Sequence, residues 1–302
     1  MLLNIIENLN AYFHLFHIIV EQGSRLCMIS RYNQHKCYKI RYMPENMFSQ
    51  VLTISRFTII ESLRNRLILL SFLVIGISFG LVEFIGDLAI TEHRVTQAAI
   101  LAAFLRMSAV VIVTLFVVSS MVRELHDKTL EMILAMPIRR GSYYLGKLIG
   151  FIHIAVLISI IFAALLLLYA DPEQVAIWML SLFFELVLVV ALSLVMLFSF
   201  NQVPSALTGV FIIYGASRIA TSIFLMSKYP IIAHTTTAQK FMDGFIELLT
   251  WLLPDLHRFT QTEWLTYNTA EWSVLLPLFG QTIIYLLFLS FIALFDFYRK
   301  NF

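Results

Sequence analysis

Charge is scarce in this 302-residue chain: Asp, Glu, Lys and Arg make up 13% of it, against 60% apolar residues. A water-soluble domain of this size must cover a broad outer surface with polar groups, and this composition excludes that. Cysteine is nearly absent. Cys27 and Cys37 lie in the N-terminal stretch near His35, at a spacing that fits no zinc site, and read as ordinary reduced thiols. A strong basic surplus is also missing, since the formal net charge is +2, which argues against a nucleic-acid partner. Residues 1–20 carry Asn4, Glu7, Asn8 and Asn10 where a secretory signal needs a basic start and a clean apolar run. Neither a short repeat nor a polar stretch long enough for a second soluble domain occurs, so any enzyme domain is expected on another chain.

What the chain has is apolar runs. A helix needs about 20 mostly apolar residues to cross a bilayer core of roughly 30 Å, because lipid offers the backbone no hydrogen-bond partner. Six segments meet that requirement, at about 67–85, 98–122, 148–170, 176–200, 205–226 and 274–295. The expected fold is all-α, a polytopic membrane helix bundle with six transmembrane helices and both termini cytoplasmic. The basic residues set that orientation. With the N-terminus, the 123–147 loop, the 201–204 turn and the tail inside, the inner face holds 15 of the 21 Lys and Arg. The outer face then holds four, Arg94, Lys228, Lys240 and Arg258, while Arg106 and Arg218 fall within spans. A multi-pass protein of the cell (inner) membrane, in contact with lipid, is the localisation this implies.

Flanking segments add detail. Residues 47–66, MFSQVLTISRFTIIESLRNR, mix apolar side chains with Arg56, Glu61, Arg64 and Arg66 and suit a helix lying along the cytoplasmic leaflet. Residues 1–46 are an extension of unclear role or a start set too early, and no function is assigned to them. Within the outer segment 227–273, the apolar stretch 245–253 is too short to span. Pro254 breaks it and Trp251, Trp264 and Trp272 rim it, so it reads as an interfacial or re-entrant helix.

Sites for chemistry are thin. Gly141 to Leu148, GSYYLGKL, has the glycine and lysine spacing of a phosphate loop. It ends in Leu148 where magnesium needs a hydroxyl, and no strand precedes it. Neither HExxH nor GxSxG occurs. Asp255, His257 and Arg258 read as a helix-capping Asp and a solvated loop. No metal site or catalytic residue is expected.

Three charges fall inside the spans: Arg106, Glu185 and Arg218. Burying one in lipid costs a few kcal/mol, about 2.5–3.5 on insertion scales. A bridge from Glu185 to Arg218 or to Arg106 would neutralise both partners. The alternative is a polar lining of a substrate path.

The most informative stretch is 121–151, MVRELHDKTLEMILAMPIRRGSYYLGKLIGF. Leu125, Leu130, Ile133 and Leu134 form an apolar side among charged residues, Pro137 breaks the helix, and Arg139 and Arg140 precede a second short helix running into the third span. An elbow fixed at both ends to membrane helices can pass a push from a soluble partner into a bundle. Its residue order resembles the loop between the second and third spans of permease subunits of type-2 ATP-binding-cassette exporters. Arg123 and Glu124 match the opening R-E. Thr129, Leu130 and Glu131 match T-L-E, Leu134, Ala135 and Pro137 match L-A-x-P, and Leu145, Gly146 and Lys147 match the closing L-x-G-K. Lys128 stands where that family usually has glycine.

The resemblance covers residues 47–302. It implies that Arg123, Glu124, Thr129, Leu130, Glu131 and Pro137 dock on a partner ATPase subunit. It further implies that ATP and magnesium bind there and no cofactor binds this chain, and that a second permease copy or a paralogue completes a dimer. Two other classes fit the spans: a membrane anchor or assembly subunit of another complex, and a secondary transporter driven by protons through Glu185. Phe, Leu and Ile dominate the spans, which suits a lipid-like cargo and plain lipid contact equally well.

Overall fold

A computed structural model describes residues 47–64, 67–88, 93–126, 139–200, 202–228, 244, 246–250 and 252–299. The expectations for residues 1–46 and for Thr129, Leu130, Glu131 and Pro137 lie outside the described residues. The described chain is helical, without a strand. Helix α1 is Met47–Arg64, α2 Leu67–Leu88, α3 His93–His126, α4 Arg140–Leu166, α5 Pro172–Phe200 and α6 Val203–Lys228. A short helix α7, Glu263–Tyr267, and the long α8, Leu275–Arg299, complete the order.

Five stretches are long and apolar enough to span a membrane: Arg94–His126, Arg140–Leu166, Pro172–Phe200, Val203–Phe224 and Trp272–Arg299. These hold five of the six expected spans. The other, at 67–85, lies in α2, whose described side chains form a shorter apolar helix, Leu69–Phe84. At 1.5 Å per residue the 34-residue α3 is about 51 Å long, more than a hydrocarbon core needs, so its ends extend beyond it.

Helix α5 is the hub. It packs against α3, α4, α6 and α8, and Trp178, Leu182, Leu186, Val190, Leu194 and Leu197 along it are fully buried. By contrast α2, α6 and α8 present large apolar side chains outward, among them Phe72, Ile212, Ile284 and Phe291. Outward apolar faces of this extent are what lipid-exposed helices carry.

Helix α1 lies against α4 through two glycines one helical turn apart. A Cβ on Gly146 would sit 2.7 Å from Ile54 Cβ, and one on Gly150 would sit 2.6 Å from Thr58 Cβ. Only hydrogen fits at these positions, and the small-xxx-small spacing brings the two backbones together. The other side of α1 leaves Phe48, Leu52, Phe57 and Ile60 exposed beside Arg56.

Two sequence expectations are corrected. The stretch 140–147 runs into the third span as expected, but as the first two turns of α4 itself, so the spanning helix starts at Arg140 and not at Leu148. His257 and Arg258 are exposed, as a solvated loop requires, but Asp255 is not the expected helix cap. It makes no side-chain cap to the 3-10 turn Leu256–Arg258, and Leu256, Phe259 and Thr260 just beyond it are buried against the bundle.

Candidate functional site

Two polar clusters stand out, at different levels of the bundle. The first joins α1, α3 and α4 where the segment 127–138 leaves and re-enters. Glu124, near the end of α3, accepts hydrogen bonds from Tyr143 Oη at 2.5 Å and from Lys147 Nζ, both on α4. Glu61 on α1 accepts from Arg123 and, at 2.9 Å, from Ser120 Oγ. Lys147 also lies 3.7 Å from Glu61, and its side chain is only 4% exposed. An ammonium so enclosed is tolerated because two carboxylates face it.

Below this network the start of α4 is clamped to the end of α8. Arg140 Nη1 donates to the carbonyls of Phe297 and Tyr298 at 3.2 and 3.3 Å, so a cation covers carbonyls left unpaired at a helix C-terminus. Tyr143 stacks on Phe297 with centroids 6.0 Å apart, and Tyr144 Oη donates to Ser290 Oγ at 3.1 Å. Both flanks of the 127–138 segment are thereby fixed to each other and to α1 and α8.

The second cluster gathers all three intramembrane charges. Counting 1.5 Å per residue, Glu185 lies about 20 Å from the start of α5 and Arg106 about 20 Å from the start of α3. Glu185 is completely buried. It accepts from Tyr214 Oη of α6 and Thr260 Oγ1, each at 2.7 Å, on its two separate oxygens. Arg218 Nη1 lies 3.6 Å from Glu185. Of the two bridges the sequence left open, the one to Arg218 is therefore present, while Arg106 meets the Glu185 partner Thr260, whose carbonyl it contacts at 3.2 Å.

Residues 252–260 are what these charges hold. Arg218 donates to the carbonyls of Leu256 and, at 3.1 Å, Phe259, and Ser181 Oγ accepts from Thr260 N–H at 2.9 Å. Asp255 accepts from Thr221 Oγ1 and from Arg258 Nε, both at 2.8 Å. Irregular backbone enters a membrane bundle only where protein groups satisfy its N–H and C=O, and two arginines and a serine do so here. Thr260 sits at φ 46°, the left-handed region disfavoured for a β-branched residue. Its N–H, C=O and hydroxyl are all bonded, which offsets that strain. Thr260, Tyr214 and Ser181 were not legible as site residues, since single hydroxyls in apolar sequence carry no pattern.

Of the tryptophans expected to rim this region, Trp264 is buried and Trp272 is exposed, donating Nε1 to Glu173 at 3.0 Å. Trp251 lies outside the described side chains. Past the end of the spanning helix Arg140–Leu166, Tyr169 in the turn between α4 and α5 donates to Glu83 of α2 at 2.8 Å. Partial burial first, then the bond and the charge of Glu83, push its phenol up to about 12.

Fold and clusters together define a multi-pass membrane protein, all-helical among the described residues, with a braced polar base and a charge-pinned segment folded into its bundle. Compared with protein-family models and with curated proteins, the chain matches none.

Proposed function

We propose that the chain is the permease subunit of an ATP-driven exporter of the type-2 ATP-binding-cassette kind. In this reading it crosses the cell (inner) membrane six times, with α2 as the first span and both termini cytoplasmic. ATP and magnesium bind a separate ATPase chain, and a second copy or a paralogue completes the path.

One observation carries the proposal: the segment with the exporter-like residue order, 127–138, has both flanks braced by a single carboxylate. Glu124 ties the end of α3 to Tyr143 and Lys147 of α4, and Glu61 ties α1 to the same place. A lever must be stiff at its base to turn a push into a rocking of helices, and this base is stiff. The division of labour follows. Glu124, which the resemblance implied would dock, is engaged inward and positions the segment, whereas Arg123, bonded to Glu61 yet still exposed, and the residues Thr129, Leu130, Glu131 and Pro137 dock on the ATPase. To move a two-state bundle from one dominant state to the other, the motor must bias it by about 5.5 kcal/mol, which calls for several simultaneous contacts.

Purification of the chain from its native membrane tests the proposal. An ATPase subunit is expected to copurify, and Glu131→Ala is expected to abolish ATP-dependent export in vesicles while the protein still inserts and remains monodisperse. Activity of the chain alone, without nucleotide, would overturn it in favour of a proton-coupled carrier. Recovery with an unrelated complex and no ATPase would overturn it in favour of an anchoring role.

A further inference from the structure

In the pinned cluster two guanidiniums converge on one carboxylate, and that carboxylate is already engaged. Both Glu185 oxygens accept hydroxyl bonds, and Arg218 is its ion-pair partner at 3.6 Å. Asp255, the other acid at this level, is engaged by Arg258 and Thr221. Among the described residues at this level of α3, α5, α6 and the pinned segment, Arg106, Arg218 and Arg258 therefore face Glu185 and Asp255, leaving one positive charge in excess.

The excess resides on Arg106. Its Nη1 meets a carbonyl, and its Nε is buried without a hydrogen-bond partner among the described residues. Its side chain stays partly exposed, as do Ala99 and Val95, two and three turns nearer the start of α3. A guanidinium about 20 Å along a membrane helix calls for an anion or water, and its planar fork suits a tetrahedral oxyanion. Arg106 and Arg218 bind carbonyls of adjacent residues, Thr260 and Phe259, so they lie close together.

We propose that Arg106, backed by Arg218, forms an anion site that takes a phosphate group, carried either on a membrane amphiphile or as free phosphate. Glu185 bars the anion from the inner side and confines it to the open face of Arg106. The site does not depend on the exporter reading.

Thermal unfolding of the full chain in a non-ionic detergent tests the proposal. Three probes are compared: short-chain phosphatidylglycerol, short-chain phosphatidylcholine and inorganic phosphate. Saturable stabilisation by phosphatidylglycerol but not phosphatidylcholine is expected, with half-saturation at least about tenfold weaker in Arg106→Gln and unchanged in Arg299→Gln. Stabilisation by inorganic phosphate at similar concentration, with the same dependence on Arg106, supports the site and assigns it to a soluble anion. Equal effects of the two lipids, or full phosphatidylglycerol stabilisation of Arg106→Gln, overturn it. A merely structural Arg106 would lower the unfolding temperature of the ligand-free variant and leave the lipid-induced shift intact. Where Arg106→Gln fails to fold, competition on the unaltered protein decides. Sulfate that abolishes the phosphatidylglycerol effect beyond chloride of equal ionic strength supports the site, and sulfate no better than chloride overturns it.

Discussion

At the scale of single residues, the tightest constraints fall on a glycine and a lysine of α4. Gly150 has Thr58 of α1 where its own side chain would be, with the nearest atom a Cβ that can move only if a backbone moves. Gly150→Ala should therefore separate α1 from α4 and destabilise the protein by about 1–3 kcal/mol. Gly280→Ala, where a Cβ meets open space, should be close to neutral. Denaturant titration in detergent compares the two. Lys147 is constrained electrostatically. Lys147→Met leaves Glu124 enclosed with only Tyr143 as partner and should cost about 3–5 kcal/mol. Pairing it with Glu124→Gln removes the stranded charge and should recover much of that loss. A double variant no more stable than the single would show that the charges are not coupled.

At the scale of elements, the segment 252–260 behaves as an inserted part whose anchors all come from other helices. Glu185→Ala removes the acceptor of Tyr214 and Thr260 and leaves Arg218 without its carboxylate. Hydrogen exchange of residues 255–262 should then quicken at least about tenfold, while α4 keeps its protection. Equal exchange in both proteins would mean that the arginine-to-carbonyl bonds alone hold the segment. This part of the structure was hidden in the sequence for a physical reason. Its backbone is satisfied by Arg106, Ser181 and Arg218, which lie far away along the chain, and Pro254 with neighbouring charges has the look of a solvated loop. The start of α4 was masked in the same way. Ser142, Tyr143, Tyr144 and Lys147 read as an exposed short helix until Glu124, Ser290 and Glu61 are brought beside them. The apolar stretches of α3, α5, α6 and α8, in contrast, were legible within a few residues, because lipid demands long apolar helices whatever the tertiary partners. A bridge from Glu185 was legible too, since opposite charges in apolar helices have few other ways to be neutralised, but the choice of Arg218 over Arg106 was not.

At the scale of the whole molecule, the two polar clusters mark opposite purposes only if they face opposite sides of the membrane. In the proposed orientation, which rests on the distribution of Lys and Arg, the 127–138 segment with its basic flanks is inside and α7 with its neighbours outside. Because the described side chains of α2 make only a short apolar helix, the orientation calls for direct measurement. The chain has two native cysteines, Cys27 and Cys37, so their replacement by serine gives a clean background for new ones. Lys128→Cys should react with a membrane-impermeant maleimide only after cells are permeabilised. Thr269→Cys, at an exposed position just past α7, should react in intact cells. Export driven by a cytoplasmic ATPase requires this pattern, because the motor can push only on a segment that it can reach. The reverse pattern would place the braced base outside and remove the mechanical argument for coupling. It would leave the anion site at Arg106 standing, now opening toward the cytoplasm.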